Sequence, residues 1–280
     1  MKFERLDFES MYFDVYELDE GIYATIFNQE LGQSSNAGFF DLGDKTIIFD
    51  TLMDPNSSND LINAAKQFTG KEPFMLINSH WHIDHVLGNP LYSKDVPILS
   101  SPETFSKFES DLKERIKIFK ERGPEEIKRI KEQLPKEIDP LKIQDMKNDL
   151  ITWKKIIENP IDIRKPDILI NNKITVTGTK RSVDIINVGG AHTTGDVISY
   201  FQKEKICFMG DTLFSDIKPT WFDGSLDITF ATNPVNFKKI MKEYIDKDLN
   251  VYVPGHGTLC SVDELENVIK ALNQHYLNEN

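Results

Sequence analysis

His80-Trp81-His82-Ile83-Asp84-His85 sets three histidines and a carboxylate within six residues, directly after the apolar run Phe74-Met75-Leu76-Ile77. Imidazole nitrogens and carboxylate oxygens are the donors that Zn2+ and its first-row neighbours take. In an extended segment, residues two apart point to the same side. His80 and His82 therefore face one metal while Trp81 faces away. A turn into helix after His82 aims Asp84 and His85 at a neighbouring point, so the spacing points to two ions rather than one.

Six residues cannot fill the shells of two ions, so partners must come from elsewhere. The chain holds six histidines, three of them in this stretch. The fourth is His192, in Gly189-Gly190-Ala191-His192-Thr193-Thr194-Gly195-Asp196, and the fifth is His256, in Pro254-Gly255-His256-Gly257. His275, in a polar C-terminal helix, stands apart. Between the fourth and fifth lies Gly210-Asp211-Thr212, after the apolar run Ile206-Cys207-Phe208-Met209. Each candidate follows a strand-like segment and sits beside glycine, on the loops where a rigid scaffold displays chemistry.

In this order, His-x-His-x-Asp-His, Gly-x-x-His-Thr-x-Gly-Asp, Gly-Asp and Pro-Gly-His-Gly resemble the metallo-β-lactamase superfamily of metallohydrolases. Asp50, in Ile47-Ile48-Phe49-Asp50-Thr51, matches the Asp that ends an early strand in that family. The resemblance implies an α/β fold, a four-layer αββα sandwich. It implies that His80, His82 and His192 hold a first metal, that Asp84, His85 and His256 hold a second, and that Asp211 bridges both. Zinc β-lactamases commonly carry Cys at the bridging position, whereas glyoxalase II, lactonases and RNase Z carry Asp. The resemblance thus leans away from a dedicated β-lactamase. Asp50 reads either as a carboxylate that fixes a ligand or a metal-bound water, or as a turn residue after a strand. Asp196 reads either as a hydrogen-bond partner of a ligand or as a turn cap. Thr193 orients the loop around His192. Cys260, close to His256 in sequence, and Cys207 read as small buried hydrophobes.

Two adjacent cations lower the pKa of a shared water, so that hydroxide exists near pH 7. By analogy with the family, that hydroxide attacks an electrophilic carbonyl or phosphorus. Asp211 acts through the bridge and Asp84 accepts a proton from the nucleophile. The expected cofactor is Zn2+, two per chain, with iron or manganese as the other options. The expected activity is hydrolysis of a small ester, thioester, lactone or, further down the order, lactam. Three alternatives stand beside it: a mononuclear iron enzyme resembling persulfide dioxygenases, a phosphodiesterase resembling RNase Z, and a binding protein without catalysis. The complete ligand set weighs against the last, and His82 weighs against flavodiiron proteins, which carry Glu there.

The rest of the chain frames this site. With 280 residues, 39% hydrophobic and net charge −12, one domain spanning 1–280 with a packed core is expected. Acidic charge disfavours nucleic-acid backbones, so the expected partner is a small-molecule substrate. No apolar run approaches the length of a membrane span. Met1 to Ser10 is charged without an apolar stretch, so no signal peptide is read there. Two widely spaced cysteines suit a reducing compartment, and a cytoplasmic location is expected.

Residues 11 to 55 read as strands, with Gly43-Asp44 as a hairpin turn. A helix over 57–69 opens at Ser57 or Ser58 and stops near Gly70. A short helix carries on from His85 to Tyr92. From about 102 to 165 charges dominate and apolar residues fall at helical intervals, as in Leu112, Ile116 and Phe119. Pro124, Pro135 and Pro140 divide this insertion into helices. It reads as a solvated decoration, or as a lid or homo-oligomer contact over the site. Strands return from Ile168, with Asn171-Asn172 turning Ile168–Ile170 into Lys173–Thr177. Trp221 and Phe222, in a loop over 212–232, read as an apolar substrate wall or as ordinary packing.

Overall fold

Near-continuous apolar runs in the central strands, buried on both faces, build a molecule of stacked layers. The computed structural model describes residues 3–32, 34–158, 161–217 and 230–277, with the side chains of Leu141 and Asp145 outside that description. The first half runs β1 (Glu4–Arg5), β2 (Phe13–Asp19), β3 (Ile22–Phe27), β4 (Ala37–Asp41) and β5 (Thr46–Phe49). Next come α1 (Pro55–Thr69), β6 (Pro73–Ile77), the one-turn α2 (Ile83–Val86) and β7 (Ile98–Ser100). Helices α3 (Pro102–Lys107), α4 (Lys113–Gln133) and α5 (Pro140–Glu158) follow. The second half runs β8 (Ile168–Leu169), β9 (Lys173–Thr177), β10 (Ser182–Gly189), β11 (Asp196–Phe201), β12 (Ile206–Phe214), α6 (Pro234–Ile245), β13 (Val251–His256) and α7 (Val262–Leu272).

Two sheets form. The first places β1 to β8 side by side in sequence order, and the second runs β13-β12-β11-β10-β9. In both, side chains alternate between faces with a period of two. Ile47 and Phe49 of β5, Met75 and Ile77 of β6, Ile206 and Phe208 of β12, and Val251 and Val253 of β13 meet between the sheets. Ile48 and Leu76 face the other way, onto Leu61, Ala64 and Ala65 of α1. Cys207, Met209 and Tyr252 face outward onto Phe237, Ile240 and Met241 of α6 and Leu265 and Val268 of α7. Helix, sheet, sheet, helix is the αββα sandwich expected from the sequence.

A fourth cluster lies outside those layers. Phe108, Leu112 and Ile116 from the helical stretch pack with Ile156 of α5 onto Met53, Ile83 and Val86. The arm formed by α4 and α5 therefore rests on α2. Its helices meet through Phe119 and Trp153, whose rings cross at 5.2 Å.

Several local expectations need correction. Helix α1 starts at Pro55, not Ser57, because Asp54 caps it and accepts from the Asn56 and Ser57 N–H groups; Pro at the first position needs no donor. The continuation past His85 is split: α2 ends at Val86 and a 3-10 turn covers Asn89–Leu91. Helix α4 runs through Pro124, since Ile157 and Trp153 of α5 close over Gly123 and support the axis where one hydrogen bond is lost. Asn171-Asn172 makes no hairpin: β8 pairs with β7 in the first sheet and β9 with β10 in the second. That short connection passes from one sheet to the other.

Candidate metal centre

The apolar strand β6 delivers Asn78 and Ser79, both buried, to the edge between the sheets, and His80 and His82 follow. Helix α2 then turns Asp84 and His85 inward. His192 lies in the β10–β11 loop. Asp211 lies within β12, which does not stop at Met209: it continues to Phe214 with register shifts around Gly210. Gly210 sits at φ +51 against Ser79, a left-handed conformation in which glycine carries no side-chain penalty. His256 is the last residue of β13.

All seven donors predicted from the sequence converge. His80, His82, His192 and Asp211 form one group, and Asp84, His85 and His256 form another; within each group the donor atoms lie within 4.8 Å of one another. Asp211 reaches both groups. Its Oδ2 is 3.6 Å from His80 Nε2 and 3.4 Å from His192 Nε2. Its Oδ1 is 3.1 Å from His85 Nε2 and 3.4 Å from His256 Nε2. Asp84 Oδ2 lies 3.2 Å from His256 Nε2, and these two side chains are 19% and 23% exposed, against 6% for Asp211. Asp84 and His256 are thus more open to solvent than Asp211.

The hydrogen bonds around the donors fix which imidazole nitrogen faces inward. His192 Nδ1 lies 2.9 Å from the Phe230 carbonyl oxygen, which only accepts, so Nδ1 donates there and Nε2 faces the cluster, 3.1 Å from His82 Nδ1. His85 Nδ1 donates likewise to Asp50 Oδ2 at 2.7 Å. Ser79 adds a relay that its sequence position did not disclose. Its hydroxyl donates to Asp50 Oδ2 at 2.7 Å and accepts from His80 Nδ1 at 3.0 Å. One buried carboxylate thus orients a histidine in each group, directly for His85 and through Ser79 for His80. Asp50 holds a left-handed backbone at φ 59, an uncommon state for a residue with a side chain, and such strain clusters at functional sites.

Asp196 has the other of its two expected roles. Its oxygens accept from the Ala191 and Thr193 N–H groups and from the Thr193 hydroxyl. These bonds go to the loop rather than to the His192 imidazole, because the tight 191–196 turn brings main-chain donors to the carboxylate first. Asp196 shapes the loop that carries His192. Cys207 and Cys260 are free and buried. Trp221, Phe222 and Asp223 lie outside the described residues, as does most of the 212–232 loop.

Electrostatics divides the histidines. Burial, reinforced by neighbouring imidazoles, holds His80 and His82 well below their ordinary value, hence neutral. Burial also works against protonation of His85 and His256, yet the carboxylates beside them win: His85 is raised well above its ordinary value and His256 to about 10. Burial raises Asp84 and Asp211, but His85 and His256 hold both below the usual carboxylate range. Without a cation, protons at His85 and His256 supply the positive charge that the two carboxylates demand. Among the described residues, His80 Nε2, His85 Nε2 and Asp211 Oδ1 are nevertheless buried without a well-formed hydrogen bond, the last two meeting only as an ion pair at 3.1 Å. Unpartnered buried polar atoms are costly, and here three of them aim at one place. Their donor types and convergence fit divalent cations of the zinc class.

The profile of the Metallo-beta-lactamase superfamily matches residues 32–256. The chain belongs to the metallo-beta-lactamase superfamily. Solved structures of metallo-beta-lactamases share its fold. One from Pontibacter korlensis is 15% identical, with TM-score 0.60 over 97% of this chain and 99% of that one. FIM-1 from Pseudomonas aeruginosa, in a mono-zinc form, is 13% identical, with TM-score 0.62 over 93% and 94%. A third, from Erythrobacter litoralis with beta mercaptoethanol in the active site, is 14% identical, with TM-score 0.63 over 97% and 100%. At such identities the likeness speaks for fold alone. No curated protein matches the chain in sequence. Within the superfamily fold, the His/Asp cluster is a metal-binding site and the chain a metallohydrolase.

Proposed function

We propose that this superfamily member is a dinuclear zinc hydrolase acting on a small ester, thioester, lactone or similar carbonyl substrate. The observation that carries the reading is the Asp211 carboxylate, which turns one oxygen to each donor group. His80, His82 and His192 would hold one ion, Asp84, His85 and His256 the other, with Asp211 shared. When bound, such ions acidify a water and polarise an acceptor oxygen. The protein's part is orientation and proton handling. Asp50 and Ser79 keep the inward nitrogens of His85 and His80 available. Asp84, at the exposed side of the cluster, is the carboxylate placed to take a proton from an entering nucleophile. The small-molecule assignment follows the net charge of −12, which works against nucleic acid. Among the described residues no helix is long and apolar enough to cross a membrane, and the free cysteines favour a cytoplasmic, reducing setting.

Elemental analysis of protein purified without a chelating tag tests the reading. About two zinc ions per chain are expected, with turnover of an ester, thioester, lactone and β-lactam panel that disappears in Asp211→Ala and persists in His275→Ala. One iron per chain with oxygen consumption would replace the proposal by the mononuclear dioxygenase-like alternative. Full hydrolysis in Asp211→Ala would sink the two-ion mechanism.

A further inference from the structure

The second donor group draws on two segments far apart in sequence, Asp84-His85 and His256, and both are tied to one buried dipeptide, Ser35-Asn36. Ser35 Oγ donates to the Asp84 carbonyl oxygen at 2.6 Å. The Asn36 main-chain N–H donates to the Gly255 carbonyl at 2.6 Å. Asn36 Nδ2 donates to the Pro254 carbonyl at 3.0 Å and to the Gly257 carbonyl at 2.9 Å. Asn36 Oδ1 accepts from the Phe27 N–H at 2.9 Å. The amide orientation is dictated by these partners, because two carbonyls demand donors and one N–H demands an acceptor. The bonds bracket His256 on both sides and fasten it to β3 and β4 of the opposite sheet. Ser35 and Asn36 are buried, so water cannot take over these bonds. The side-chain bonds of both residues run to the second donor group's segments and to β3, not to the first donor group.

We infer that Ser35 and Asn36 are positioning residues that set the affinity of the second metal site separately from the first, by holding His256 opposite Asp84 and His85. The inference rests on the two-ion reading above. Asparagine suits the task because one side chain offers two donors and an acceptor in a plane. The Asn36→Asp change would keep the shape and the bond from Phe27, but would set a carboxylate against the Pro254 and Gly257 carbonyls.

The test is a competition titration of metal-free, full-length protein with zinc and a chromophoric chelator, reading each binding step, alongside the melting temperature of the metal-free form. The wild type is expected to bind two equivalents. Asn36→Asp is expected to keep the first step and weaken the second by about 10-fold or more, the range typical of residues that orient ligands. Ser35→Ala, a milder change that keeps the fold if Asn36→Asp does not, is expected to weaken the second step less. In a His256→Ala background, which removes a ligand of the second site and leaves the first step to be read, Ser35→Ala should change that remaining step by less than about twofold. Equal weakening of both steps, or of neither, in variants of a wild type that binds two equivalents overturns this inference alone. A wild type that binds one equivalent overturns the two-ion reading and the inference with it.

Discussion

A histidine is a useful metal ligand only when its proton sits on the far nitrogen, and one buried carboxylate arranges this on both sides of the cluster. Asp50 meets His85 directly and His80 through the Ser79 hydroxyl. Ser79→Ala should therefore weaken zinc binding by about 10- to 100-fold, read by chelator competition, beside a lower melting temperature of the metal-free protein from the buried His80 Nδ1 left without its partner. Unchanged affinity would show that the hydroxyl does not set the His80 ring. Gly255 exposes a second constraint: a Cβ there would lie 1.9 Å from Asp211 Oδ1. Gly255→Ala should displace the shared carboxylate together with the Gly210–Asp211 main chain, 2.8–2.9 Å from that Cβ, lowering the melting temperature and lowering kcat by about 100-fold, the scale of a misplacement near 1 Å; a kcat within twofold of wild type would show that Asp211 yields without loss. At this scale the sequence was legible where residue types are rare. Five of six histidines and Asp211 stand beside glycines or within the central motif, after apolar runs, and that conjunction names them. Ser79, Ser35 and Asn36 are common residues whose importance comes only from what the fold brings beside them. The two meanings of Asp196 were separable only once its donors were in view.

Helix α2 spans one turn, too short to persist by itself, yet it carries Asp84 and His85. Its stability comes from Ile83 and Val86, packed against Leu112, Ile116 and Ile156 of the arm. Ile116→Ala should cost about 2–5 kcal/mol, seen as a lower melting temperature of the metal-free form, and zinc should raise the melting temperature of the variant by less than that of the wild type, because a loosened α2 holds it more weakly. An equal zinc-dependent rise in both would separate the arm from the site. Arg115 reinforces the same junction, its guanidinium lying 5.2 Å from the Trp81 ring centre and 5.6 Å from that of Phe119. Helical spacing announced the arm, since Leu112 and Ile116 fall one turn apart. What that face covers was not legible, because periodicity identifies an apolar stripe but not its partner. The same limit explains β8 and β9: an Asn-Asn pair signals a change of direction, whereas the choice of sheet depends on neighbours far along the chain.

Over the whole molecule, the metal-free protein carries a charge balance with a definite pH signature. His256 is raised from 6.5 to about 10, so its contribution to stability is complete below about pH 6.5 and is lost as pH rises through about 10. Asp84 and Asp211 are held below 3.8, so theirs is present above about pH 3.8 and fades on acidification. His80 and His82, held neutral by burial, add the opposite slope, because below about pH 6.5 the unfolded chain takes protons that the folded one refuses. Chelator-treated protein should accordingly melt highest near about pH 6.5, with a falling melting temperature toward pH 10 that zinc suppresses. A melting temperature that climbs steadily from pH 6.5 to 9 would contradict the protonated His256. The layered fold itself was legible from the order of the motifs and the resemblance they carry, and the continuous apolar runs of β5, β6, β12 and β13 suit strands covered on both faces.

The donors are dispersed along the chain from His80 to His256, and this gives the centre a history during synthesis. A ribosome releases the first group in full once Asp211 has emerged, while the second group still lacks His256. A nascent chain thus presents one complete set of ligands before the sheets can close around the other. His256, the last histidine of the cluster to leave the ribosome, completes the second donor group.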